Sequence, residues 1–214
     1  MLRTKVGGWQ RPSAADSRKR SRSKSLDHFC DFRGRQPSAP CHTLDVDPRA
    51  ILDIIGAPTR LRVHGALVCE AADALLAKAR TMDIAVDETW VRGGAWLHDA
   101  GKAVHRDELE APGHRHEAAG ETLLLSHGVD ARVARCCVTH ASFSATCSLE
   151  ELLVALADKL WKGVRNEALE TLVIDAIAMR GKRERWDVFV ELDACFEQIA
   201  SDGDARLQRS VRRD

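Results

Sequence analysis

Tyrosine is absent from this 214-residue chain, and aromatic residues together make up only 5% of it. A core without them rests on Leu, Val, Ala and Ile, a palette that suits helix packing. No apolar run approaches the ~18 residues of a membrane-spanning helix, so no span is expected. The N-terminus lacks the apolar stretch of a secretory signal. Seven cysteines occur (Cys30, Cys41, Cys69, Cys136, Cys137, Cys147, Cys195), but no CxxC pair, and Cys136 and Cys137 are neighbours that cannot easily bridge each other. An odd, scattered set of this kind predicts a reduced, cytoplasmic chain. Formal net charge is zero, which argues against a dedicated duplex-binding surface.

The charge that is present is unevenly placed. Residues 1–40 hold ten Lys/Arg against three Asp/Glu, about +7, which leaves the remainder about −7. With Pro12, Pro37, Pro40 and the run Ser17–Ser25, residues 1–45 read as a disordered basic tail. A nucleic-acid or membrane-surface arm, a transit peptide and an unselected extension all remain open for it. From about residue 46 the pattern turns helical. Asp47-Pro48 opens a short segment that ends at Gly56, and Thr59 is expected to cap a long helix to about Arg80. Asp87 caps a helix that stops near Gly101, and one from about His114 ends at His127-Gly128. Asp130 opens the next, Leu149 to about Trp161 is strongly amphipathic, and residues 165–180 and 183–200 supply two more. No β alternation competes. The expectation is one all-α domain over residues 46–203, a single helical bundle, followed by a C-terminal tail at 204–214.

Nine histidines occur, seven of them between residues 64 and 140. His98 and Asp99 follow the apolar run Gly93-Gly94-Ala95-Trp96-Leu97 and point about 100° apart on a helical repeat. Both reach one ion only if it sits over the edge between them, which leaves room for other helices to complete the shell. An unpaired Asp99 beside apolar residues is costly, and a cation neutralises it. As a dipeptide the pair is weak; a solvent-facing helix end would read the same. His64 lies near the start of a long, mostly apolar helix, as a core histidine also would. Asp158 closes the run Leu152-Leu153-Val154-Ala155-Leu156-Ala157; pairing with Lys162 at i+4 is its plain alternative.

Taken together, His64, His98-Asp99 and Asp158, in that order on separate predicted helices, resemble the H…HD…D pattern of the HD superfamily of metal-dependent phosphohydrolases. The resemblance covers about residues 58–165, and the segments Trp96–Lys102 and Leu156–Leu160 carry it. It implies that the two His and two Asp bind a divalent metal. His116 and His140 fit the subgroup that is similar to bacterial dinucleoside-tetraphosphate hydrolases, in which additional imidazoles help hold a second ion. His114, two residues from His116, cannot share its inward face and is expected at the rim. One departure concerns the Arg that such proteins commonly carry three residues before the first His. Leu61 stands there, flanked by Arg60 and Arg62.

The resemblance implies one or two transition-metal ions, since a His-rich set suits Fe, Mn, Co, Ni or Zn better than Mg. It also implies a metal-activated water attacking phosphorus in line, with Asp99 bridging two ions. Lys102 is expected as a catalytic or phosphate-facing cation, with Lys162 and Arg165 on a basic edge near Lys159 as weaker substrate contacts. The expected function is hydrolysis of a phosphoester or phosphoanhydride of a small molecule, a nucleotide by preference. The alternatives are an HD nuclease recruited through the basic tail and a regulatory module that keeps metal without turnover. The loop from His105 to Gly113, carrying Asp107, Glu108 and Glu110, is the candidate for substrate selection.

Overall fold

The computed structural model describes residues 47–211, and the basic segment 1–45 lies outside them. Among the described residues the fold is all-helical, without strands. Short α1 (Pro48–Ile54) starts on Asp47, whose side chain caps Arg49 N, with Pro48 in the first turn. Helix α2 (Thr59–Thr81) is the longest. Its cap is Pro58 and makes no side-chain bond, so Thr59 is the first helical residue instead of the expected cap. Helix α3 (Glu88–Leu97) is capped by Asp87 as expected and gives way, after His98 and Asp99, to a 3-10 turn at Ala100–Ala103. A second 3-10 turn spans Arg106–Leu109. Helix α4 (Arg115–Ser126) precedes Gly128, which takes φ +75°, and α5 (Ala131–Thr139) begins on Asp130.

Helix α6 (Leu149–Leu160) runs through the centre. A reciprocal capping box between Ser148 and Glu151 starts it, and almost all of its residues are buried. A helix buried all round must be covered on every side. Helix α2, α3, α7 (Glu167–Gly181) and α8 (Arg185–Ser201) cover it, with Leu76, Val91, Leu153, Val173 and Phe196 in the shared core. A smaller core joins α1, α4 and α5 through Leu52, Leu97, Leu124 and Val133. Helix α3 serves both cores, Val91 and Ala95 in the first and Leu97 in the second, and the residues that follow Leu97 emerge where the two meet.

Residues 203–211 correct the expectation of a C-terminal tail. They form α9 (Gly203–Val211), fastened to α2 by charge. Arg206 is 4% exposed; it donates to Ile199 O at 2.7 Å and to Glu70 Oε1 at 3.1 Å. Arg209 adds two donations to the Glu70 carboxylate, both at 2.8 Å.

Candidate metal centre

Three helices end at one place. His98 is the C-cap of α3, His140 is the C-cap of α5, and Asp158 lies in the last turn of α6. Helix C-termini carry partial negative charge. A carboxylate at such an end is opposed by its own helix, so the locus calls for a cation. His64 enters from the second turn of α2, and His116 from the first turn of α4. All but His64 are buried, and His64 is nearly so.

The imidazole nitrogens converge. His64 Nε2 lies 3.1 Å from His98 Nε2 and 3.2 Å from Asp99 Oδ2. Asp158 Oδ1 lies 3.7 Å from His64 Nε2 and 3.6 Å from His98 Nε2. The other oxygen of Asp99, Oδ1, stands 3.2 Å from His116 Nε2 and 3.7 Å from His140 Nε2. Donors ~2.1 Å from one ion sit about 3.0–3.4 Å apart in octahedral or tetrahedral arrangement. The observed spacings match that range or exceed it slightly. Two triads able to hold an ion result, His64–His98–Asp99 and Asp99–His116–His140, and Asp99 belongs to both.

The ring tautomers point the same way. His98 Nδ1 pairs with Ala95 O at 3.0 Å, His140 Nδ1 with Cys136 O at 3.1 Å, and His116 Nδ1 with Glu108 Oε2 at 2.7 Å. A ring that donates outward from Nδ1 presents the Nε2 lone pair inward. Asp99 Oδ1 and His116 Nε2 are nonetheless buried without hydrogen-bond partners among the described residues. Two facing orphaned atoms are costly unless something else satisfies them, and a cation between them does so. The donor set therefore fits a divalent transition metal.

Electrostatics divide the ligands. Burial opposes charge on Asp99, yet His98, His116 and His64 hold its carboxyl well below the usual range; Asp158 is held down likewise by His98, against burial. Burial works against protonation of His98, but Asp99 and Asp158 raise it above the ordinary imidazole value. Asp99 raises His116 too, against burial and with help from Glu108. His140 goes the other way. Burial, then the neighbouring His98, pushes it down to about 4, so it is neutral at pH 7.

Around this cluster lies a cavity of about 670 Å³. Lys102 lines it and donates to Asp99 Oδ2 at 2.7 Å. Lys162 lines it with no ionic partner among the described residues, and Asp158 pairs with Lys159 at 2.9 Å instead of Lys162. Of the arginines that flank Leu61, Arg60 reaches the cavity and pairs with Glu110, whereas Arg62 is turned to α1. His114 is almost fully exposed at the rim, as expected.

Arg165 is a correction. Its donors are consumed by Glu170, Asp193 at 2.7 Å and Glu197 at 2.8 Å, which tie the α6–α7 connection to α7 and α8, and it does not line the cavity. The loop 105–113 is divided. Leu109 and Gly113 line the cavity, but Glu108 is buried. It accepts from the backbone N–H groups of Arg115 and His116, from Arg115 Nε, and from the His116 ring. Burial would raise its carboxyl, but these donors, His116 first, bring it down to about 2. The sequence offers Glu108 only as part of a loop that is a candidate for substrate selection; in the fold it is the group that orients His116.

Residues 67–161 match the family model described as HD domain. The match encloses His98, Asp99, His116, His140 and Asp158, with His64 just before it. No curated protein and no solved structure gives a significant match. Residues 67–161 are thus identified as an HD domain, a kind of domain found in general in metal-dependent phosphohydrolases.

Proposed function

We propose that the chain is a metal-dependent phosphohydrolase that cleaves a nucleotide phosphoester or phosphoanhydride, similar to the dinucleoside-tetraphosphate hydrolases in its ligand set. One observation carries the reading: Asp99 directs one oxygen into each of two donor triads, and the facing Oδ1 and His116 Nε2 are buried without hydrogen-bond partners among the described residues. His64, His98, Asp158 and Asp99 would hold one ion; His116, His140 and Asp99 the other. Bound ions supply an acidified water and polarise the phosphoryl group. Lys102 donates to Asp99 and lies in the cavity, where it would meet a phosphate oxygen as a point charge. Lys162 is a second cation on the same cavity. Glu108 fixes the His116 tautomer.

The test is metal analysis of anaerobically purified protein coupled to phosphate release from nucleoside mono-, di- and polyphosphates. Bound Fe, Mn, Co, Ni or Zn with turnover of a nucleotide supports the reading. Absence of any transition metal, with His98→Ala changing nothing, overturns it.

Two further results are expected. Glu108→Gln removes the charge that anchors His116, and outer partners of metal-binding histidines are worth about 10–100-fold in affinity. Titration with Mn²⁺ should show the second ion weakened by that factor and the first unchanged. Metal uptake should also release protons, because the neighbouring carboxylates, against burial, raise His98 and His116 above the ordinary imidazole range. Affinity then falls as pH drops through that range. Calorimetry in two buffers of different ionisation enthalpy reads the protons released; a buffer-independent enthalpy contradicts the expectation.

A further inference from the structure

Helix α9 is amphipathic in an unusual sense: apart from Gly203, the residue it buries is an arginine, Arg206. Arg206 and Arg209, at i and i+3, turn to Glu70 of α2, and Arg206 is almost completely buried. Leu207 and Val211, at i and i+4, share a different face. That face lines the cavity around the His/Asp cluster, together with Ser210. Leu207 is 38% exposed and Val211 74%, so neither is spent on the core. Trp161, next to His64 at a ring separation of 5.0 Å, lines the same cavity, and its indole Nε1–H is buried with no acceptor among the described residues.

An inorganic phosphate needs cations and metal ligands, which the cluster, Lys102 and Lys162 provide. It has no use for apolar side chains held open beside them. At about 670 Å³ the cavity falls within the ~300–1,000 Å³ of small-molecule sites, which combine apolar walls with a few polar groups. We infer that α9 is the specificity wall of the site, with Leu207 and Val211 seating the organic group of the substrate. The preferred substrate is then an organic phosphate bearing a ring-sized apolar moiety, and inorganic polyphosphate is a poor one. The inference rests on the phosphohydrolase reading for the position of the phosphate. It adds the residues that select what the phosphate is attached to.

Calorimetry on Mn²⁺-loaded protein, with adenosine 5′-monophosphate and inorganic phosphate as probes, tests it. The wild-type chain should bind the nucleotide at least about tenfold more tightly than phosphate. Replacing both side chains (Leu207→Ser with Val211→Ser) should weaken nucleotide binding about tenfold, the scale of one apolar side chain's burial, and change phosphate binding less than about twofold. Leu207→Met should keep nucleotide affinity. An unchanged unfolding temperature certifies the double variant, and the single Val211→Ser, at a mostly exposed position, serves if it does not fold. Equal wild-type affinity for both probes overturns the inference, as does a double variant that weakens both alike or neither. Phosphate release from mono-, di- and triphosphates, measured in parallel, separates the two readings. Selective binding without release overturns the hydrolase and keeps the wall; release with unselective binding does the reverse.

Discussion

Asp99→Asn should lower phosphate release by about 10³-fold, about 4 kcal/mol of barrier at 1.36 kcal/mol per tenfold, and reduce the metal held per chain to one ion or fewer. The amide keeps the shape and one oxygen. It loses the charge, and its NH₂ must face either His64 and His98 or His116 and His140. The triad that receives the NH₂ meets a donor where it needs an acceptor. The first group still has His64, His98 and Asp158, with Asp158 Oδ1 within 3.7 Å of both rings, so one ion has three protein donors left. Where the NH₂ turns to the second group, that group is left with two imidazoles. Metal analysis and phosphate release read the two effects separately, and circular dichroism checks that the helices are kept. Turnover within tenfold of wild type with full metal content would remove Asp99 from its proposed role.

The parts of this molecule that were legible in the sequence share a cause. Helix α6 announces itself because its apolar run, capping box and single late carboxylate are all local signals. The caps at Asp47, Asp87 and Asp130 are equally local, since each bonds within three residues. The six candidate ligands stand out because each is a polar residue at the end or edge of an apolar stretch. The structure gathers them through the meeting of helix ends, a property of spacing along the chain.

Most of what escaped depends on partners far away in sequence. Helix α9 has no apolar stripe facing the core; Arg206 and Arg209 meet Glu70 across 136 and 139 residues of chain, and hydrophobic periodicity is blind to such pairs. Arg165 reads as part of a basic edge, but Asp193 and Glu197 from α8 surround it. Glu108 reads as one of three acids in a polar loop; only the fold shows that it goes inward while Asp107 and Glu110 stay out, each pairing with an arginine. The cavity wall illustrates the same limit, since Leu207 and Val211 acquire meaning only once α9 is known to bury Arg206.

Gly101→Ala should destabilise the fold by about 3 kcal/mol, the upper part of the range for overpacking, and open the site between its two halves. A Cβ at Gly101 would lie 2.0 Å from His116 O and 2.7 Å from Gly120 N. Both obstacles are backbone, so no side-chain rotation relieves them. The 3-10 turn that follows Asp99 must move away from α4, and α4 carries His116. The 3.2 Å approach of His116 Nε2 to Asp99 Oδ1 lengthens as a result, whereas His64, His98 and Asp158 lie on elements the Cβ does not touch. The expected result is a chain that unfolds roughly 6–12 °C lower, keeps one ion and loses the second. Ala100→Gly is the control, since it removes volume from the same turn and introduces no clash with α4; it should keep both ions. Calorimetric unfolding and Mn²⁺ titration measure the two effects independently. An Ala variant that still binds two ions with wild-type affinity would mean that the approach of the 3-10 turn to α4 does not set the geometry of the second triad.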